Sequence, residues 1–126
     1  MNHSSNPVQA DNALLKLTFA FAVEVARYCQ QLESERKWNL ANQLFRSGTS
    51  IGANSREAQN AESRADFVHK LKIALKEAEE TEYWLFLCKE LYNHEEVGAL
   101  LSRTNEILIL LNRIISTSKT NLRRNN

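Results

Sequence analysis

The sequence predicts an all-α fold, a single-domain, up-and-down antiparallel four-helix bundle, on three observations. Turn formers are scarce: 126 residues contain one proline (Pro7) and three glycines (Gly48, Gly52, Gly98), where an all-β chain needs many more. Apolar residues recur at spacings of three and four through four long segments. The connections between those segments are short, which favours antiparallel neighbours. The composition, 43% hydrophobic and 25% charged, is that of a chain able to bury a core rather than of a disordered one.

Taken in order, residues 1–10 are polar and read as a disordered tail, residues 11–118 as the bundle and residues 119–126 as a basic, frayed tail. The first helix is expected from Asp11 or Asn12, either of which can cap it. Its apolar residues, from Leu14 and Leu15 through Phe19, Phe21, Val25 and Leu32, cover more than one face and imply contacts on two sides. A charged connection, residues 33–37, leads to a second helix from about Trp38, with Leu40, Leu44, Ser47 and Ile51 in helical register. Gly48 and Gly52 lie four apart on one face of it. Each costs about 1 kcal/mol relative to alanine inside a helix, so close packing of another helix is the expected compensation. Ser63, followed three residues later by Asp66, reads as a capping box opening a third helix that runs to Leu91. Its predicted stripe is Leu71, Leu75, Ala78, Glu82 and Leu85, with Ile73, Glu77, Glu80, Trp84 and Leu87 on another side. The fourth helix follows Asn93, with Glu96 as capping partner and a stripe of Leu100, Ile107, Leu111 and Ile114.

The net charge of +1 conceals an asymmetry. Residues 1–112 hold 12 Lys/Arg against 15 Asp/Glu, and from Arg113 onward there are four cations and no acid. Cys29 and Cys88 fall within apolar periodic segments and read as buried free thiols of a reducing compartment, without C-x-x-C spacing. The apolar stretch 14–25 is interrupted by Lys16 and Glu24, and no run approaches a membrane span. A cytoplasmic location without a membrane partner is therefore expected.

No catalytic set emerges. Carboxylates cluster at Glu77, Glu79, Glu80 and Glu82, yet di-metal bundles pair Glu with Glu-x-x-His on facing helices, and none of His3, His69 and His94 follows a Glu at that spacing. Residues 48–54 lack the G-K-[ST] and the preceding strand of a phosphate loop. The chain is read as non-enzymatic, with no catalytic residue, metal, cofactor or small-molecule substrate. Glu82 interrupts an apolar stripe, and a carboxylate there must be paired or protonated. A structural polar network of Arg46, Asn54, Glu80 and Glu82 is expected, fixing the register of the second and third helices. Lys70, Lys72, Arg113, Lys119, Arg123 and Arg124 are candidate nucleic-acid contacts. The competing reading of the lysines is a solvated, ion-paired face, because their helix also carries many acids. Trp38, Trp84, Phe67 and Phe86 read as core or interface rather than as base-stacking platforms.

Two runs carry a family resemblance. One is Gln43-Leu44-Phe45-Arg46-Ser47-Gly48-Thr49-Ser50-Ile51-Gly52-Ala53-Asn54, followed by Arg56-Glu57-Ala58. The other is Ser63-Arg64-Ala65-Asp66-Phe67, followed by residues 73–84 from Ile73 to Trp84. Together they resemble the bacterial four-helix-bundle family first associated with open reading frames in 23S rRNA intervening sequences, over about residues 12–118. The resemblance implies an up-and-down bundle assembling as a ring-like homopentamer. A related fold, the accessory variability determinant of diversity-generating retroelements, implies binding to nucleic acid and a reverse transcriptase through a strongly basic surface; the body of this sequence is net acidic. Excess apolar surface on three helices supports self-association independently. Two functions stand: a homo-oligomeric assembly protein binding RNA, DNA or a nucleic-acid-processing partner, and a protein-only scaffold or adaptor without nucleic-acid affinity.

Overall fold

The computed structural model describes the backbone of residues 7–124 and the side chains of residues 13–124. Four helices follow one another, α1 (Pro7–Ser34), α2 (Trp38–Ala58), α3 (Arg64–Tyr92) and α4 (Glu96–Arg124), and there is no strand among the described residues. Helix α1 packs on α2 and α4, and α3 packs on α2 and α4, while the diagonal pairs make no close backbone approach. That is a square, antiparallel bundle, in which the α1–α4 seam is the sparsest.

The core follows a heptad rhythm in every helix. Buried positions step by three and four through Leu14, Thr18, Phe21, Val25, Tyr28 and Leu32 in α1, and through Ala41, Leu44, Gly48, Ile51, Ser55 and Ala58 in α2. The same steps run through Leu71, Ala74, Ala78, Thr81, Leu85 and Cys88 in α3, and through Val97, Leu100, Thr104, Ile107, Leu111, Ile114 and Ser118 in α4. An alternation averaging 3.5 residues keeps one seam facing inward in a left-handed bundle. Hydroxyls on this seam are satisfied inside their own helices: Thr18 donates to the Leu14 carbonyl at 2.8 Å, Ser55 to Ile51 at 2.8 Å and Thr104 to Leu100 at 2.7 Å.

Helix ends differ from the sequence expectation in three places. The first helix begins at Pro7 rather than near Asp11, a position that suits proline because the first-turn N–H has no intrahelical partner; residues 1–6 of the expected tail lie outside the described residues. Helix α4 continues through Arg124, so Lys119, Arg123 and Arg124 stand on its last turns instead of in a frayed tail, where cations favour the C-terminal dipole. Asn93 closes α3 in the left-handed conformation (φ 54°), its N–H donating to the Lys89 carbonyl, and α4 starts at Glu96. The capping box is a variant: the Asp66 N–H donates to Ser63 Oγ at 3.0 Å, and the Asp66 carboxylate accepts from the Glu62 N–H at 3.3 Å.

Gly48 and Gly52, both in α2, mark a close approach of α1. A Cβ on Gly48 would stand 2.8 Å from Val25 Cγ1, and one on Gly52 would stand 3.3 Å from Thr18 Oγ1. Gly98, in α4, has nothing within 4 Å of its missing Cβ. Gly98→Ala is therefore expected to raise stability by about 0.5–1 kcal/mol through helix propensity alone, read as a higher urea midpoint with unchanged slope.

Candidate functional site

Antiparallel packing lays the first half of α3 beside the last turns of α4 and brings three cations together. Lys72 and Arg123 are exposed, and Lys119 is half-buried. Repulsion from Lys72, with Arg123 adding to it, holds the Lys119 ammonium below the ordinary lysine value. Lys119 and Arg123 are four apart and share one side of α4. Among the described residues no carboxylate forms an ion pair with any of the three, whereas Lys37, Arg46, Lys70 and Arg103 each have an acidic partner.

The other candidate contacts separate from this cluster. Lys70 is held by Glu57 of α2 at 3.2 Å. Arg113 and Arg124 are exposed, but at about 100° per residue they lie more than a quarter turn round α4 from Lys119. The helix geometry thus splits the six candidates into a cluster of three, one ion-paired lysine and two arginines on another flank.

The polar network between α2 and α3 forms with different members. Arg46 makes a two-pronged bond to the Glu77 carboxylate, at 3.1 and 3.2 Å, and a third bond to Glu80 at 2.6 Å. The Trp84 indole donates to the same Glu80 oxygen at 2.9 Å. Glu77, Glu80 and Trp84, spaced by three and four, present one side of α3 to α2. Glu82 belongs to no such pair: it sits about 200° round the helix from Glu80 and is half-exposed. The buried stripe runs through Ala74 and Thr81 rather than Leu75 and Glu82, so the expected buried carboxylate is a threonine. Asn54 is not a member either, its amide donating to the Ser50 carbonyl at 2.8 Å. Beneath Arg46, the fully buried hydroxyls of Ser47 and Thr81 meet at 2.9 Å; Thr81 gives its one proton to the Glu77 carbonyl and accepts that of Ser47.

Arg46 and Trp84 hold the Glu80 carboxyl below its ordinary value, Arg46 the more strongly. A lowered folded-state value means that the contribution is present above the unfolded carboxylate value, about 4.3, and is lost as pH falls through the folded one. Arg46 is half-exposed, with 49% of its side chain accessible, so solvent screens the pair. Arg46→Ala is expected to lower stability by about 0.5–1 kcal/mol at pH 7, and the gap should narrow in urea unfolding as pH falls below the ordinary carboxylate range.

A second network ties the bundle's opposite end. The half-buried His94 ring, between α3 and α4, meets the Tyr28 hydroxyl through Nδ1 at 2.7 Å and Glu35 through Nε2 at 3.0 Å. In the neutral tautomer that fits both partners, Tyr28 donates to Nδ1 and Nε2–H donates to the carboxylate. Lys37 pairs with Glu35 and lies 3.9 Å from the centre of the Tyr92 ring, which stacks beside His94. The sequence analysis gave His94 no role; its partners lie 59 and 66 residues away, and no local pattern announces them. Cys29 and Cys88 are buried free thiols, and burial pushes Cys29 up to about 12.

Two apolar faces lie on opposite sides of the square. Phe19, 66% exposed, and Phe45 sit on the α1–α2 side, where Leu15, Ala22, Thr49 and Ala53 line a groove. Phe45 is one heptad before Gly52, hence on the flank facing α1. Tyr83 and Phe86 of α3, 59% and 54% exposed, join Ile109 of α4 on the other side. Phe86 is two heptads after Lys72, and Ile109 two heptads before Arg123, so this face is apolar at mid-height and basic at one end. Of the remaining sides, that of α2 and α3 carries Arg46 with its acids and, toward the turns, Trp38 and Leu91, 54% and 59% exposed; that of α1 and α4 carries Glu24 with Arg103 at 3.5 Å. Among the described residues no group of acids, histidines and cysteines could hold a metal ion, and no helix is long and apolar enough to cross a membrane.

These features define an all-α four-helix-bundle protein with a core built on heptads. The chain belongs to the 23S rRNA-intervening sequence protein family, whose match covers residues 10–113. It is similar to a crystal structure of a protein of unknown function from the S23 ribosomal protein family of Bacteroides thetaiotaomicron VPI-5482. The two are 44% identical, with a TM-score of 0.81 over 85% of this chain and 98% of that one. A comparison with curated proteins finds no match.

Proposed function

We propose that the protein is a non-enzymatic, self-assembling bundle whose cyclic homo-oligomer presents basic clusters to nucleic acid. The observation that carries this reading is the pair of dissimilar apolar faces on opposite sides of the bundle. Five large side chains, each close to half exposed or more, exceed what a monomer normally leaves uncovered. An isologous dimer would use one self-complementary face. Two different faces instead favour a head-to-tail contact, which closes into a ring when the rotation per step allows. Five copies is the number the family resemblance implies. The occupant of each face is a second copy, because Phe19 and Phe45 on one bundle match Tyr83, Phe86 and Ile109 on the next in both height and chemistry.

The nucleic-acid part of the reading rests on Lys72, Lys119 and Arg123. Cations held together without carboxylates repel one another, and phosphate oxygens relieve that repulsion; repetition round a ring multiplies weak contacts into avidity. Light scattering on the purified protein should give a mass several times 14.5 kDa. Phe19→Glu or Phe86→Glu, both at exposed positions, should reduce it to that of the monomer while leaving helicity intact. A wild-type monomer at micromolar concentration overturns the assembly. An assembly without affinity for RNA or DNA at low salt leaves the protein-only scaffold.

A further inference from the structure

A third apolar patch lies at the end of the bundle where α1 turns into α2 and α3 finishes. Trp38 and Leu91, 54% and 59% exposed, wall a groove of about 410 Å³ together with the half-buried Leu40 and Tyr92, within the size range of pockets that hold a small group. The rest of its lining is cationic: Arg36 and Lys37 border it, and no acid does. Lys37 is already committed, to Glu35 and to the Tyr92 ring. Arg36 is exposed, and among the described residues no carboxylate pairs with it. It also stands in the left-handed region (φ 63°), at a turn position where glycine ordinarily follows a helix, so the backbone gives no reason for an arginine. The first turn of α2 beside it has no side-chain cap and no acid, which leaves the positive end of the helix dipole unanswered next to the groove.

We propose that this groove docks an acidic, apolar segment of another protein. A large apolar side chain enters between Trp38 and Leu91, and a neighbouring carboxylate pairs with Arg36. Charge complementarity selects the occupant. Glu33, Glu35, Glu90, Glu95 and Glu96 stand at the same end, but none lines the groove, and Glu35 is bound to Lys37 and His94. The terminal stretches of this sequence do not fit, since residues 1–10 and 113–126 hold no acid. The copy-to-copy contact proposed above sets Phe19 and Phe45 against Tyr83, Phe86 and Ile109, none of which borders this groove, so the two proposals stand or fall separately. A nucleic-acid strand would match the cations, but Leu40 and Leu91 give a base no flat surface to stack on and suit an aliphatic or aromatic side chain.

The test pans a random peptide library of about 12 residues, displayed on phage, against the intact full-length protein. The consensus peptide, with blocked ends and a fluorescent label, is then titrated by anisotropy. Expected is a consensus with aspartate or glutamate beside leucine, isoleucine, phenylalanine or tryptophan. Arg36→Glu and Leu91→Ser, both at exposed positions, should each weaken the peptide at least about 10-fold, the loss of one anchoring side chain, with helicity and assembly mass unchanged. A peptide whose acid is replaced by lysine should bind the Arg36→Glu protein more tightly than the wild type. A library without a consensus, a consensus without an acid, or undiminished binding by both variants overturns the proposal. A short single-stranded RNA of mixed sequence is the second probe; tighter binding than the peptide, lost in Arg36→Glu, overturns it in favour of nucleic acid at this groove.

Discussion

Gly48→Val is expected to lower stability by about 1–3 kcal/mol, a fall in Tm of roughly 5–15 °C for a chain of this size. A Cβ at this position would lie 2.8 Å from Val25 Cγ1 and 3.1 Å from Val25 Cγ2, nearer than carbon atoms pack. Val25 is fully buried and β-branched, so it cannot swing aside as the tip of a long side chain could. The relief available is separation of α1 from α2, which loosens the seam down to Thr18 and Gly52. Ordinarily glycine-to-alanine in a helix gains about 1 kcal/mol; here crowding reverses the sign, and Gly98→Ala is the internal control with open space. Val25→Ala supplies the test of mechanism. In that background Gly48→Ala should be neutral or stabilising, because the two Cγ atoms it would meet are gone. A Gly48→Ala penalty of equal size in both backgrounds would show that the close approach to Val25 is not its cause.

His94→Ala should destabilise by about 1–3 kcal/mol, mostly through Tyr28. That phenol is 3% exposed and loses its partner at 2.7 Å, leaving a buried hydroxyl with only the weakly accepting Cys88 sulfur nearby. Burial is also the main reason why the Tyr28 hydroxyl is held well above its ordinary value, so it stays neutral throughout the accessible range. The exposed Glu35 arm contributes little by comparison. Tyr28→Phe removes the hydroxyl that His94 serves, so the double variant should be less destabilised than the sum of the two single changes, by about 1 kcal/mol. Additive losses in urea unfolding would mean that His94 acts through packing on Tyr92 instead.

The sequence made the bundle legible because heptad spacing and caps are local signals. Ser63 and Asp66 announced the start of α3, and the scarcity of glycine gave Gly48 and Gly52 weight as a packing site. The stripe of α3 shows the limit of the same method. Leu71, Ala78 and Leu85 fix its direction, but the positions between them can be filled by 75 and 82 or by 74 and 81 with equal regularity. A large apolar Leu75 draws the choice one way, whereas the space between helices admits the small Ala74 and Thr81. That single-residue shift removed Glu82 from the core and left Glu77 and Glu80 to meet Arg46. The basic cluster was legible only as a list of cations. Which of them converge depends on the offset between α3 and α4, set by a three-residue turn whose left-handed Asn93 cannot be placed from periodicity. Tyr28, Glu35 and His94 were further out of reach, being joined by neither spacing nor motif.

The thinness of the α1–α4 seam bears on how the chain folds and opens. Three of the four helix contacts join consecutive helices, so each closes a short loop at small entropic cost, and such contacts form early. The fourth joins the first helix to the last, closes the longest loop and has the fewest approaches to reward it. The molecule therefore behaves like a folded screen of four panels, its free edges meeting last on folding and parting first under stress. Backbone amides flanking Glu24 and Arg103 should exchange with deuterium before those beside Ser47 and Thr81.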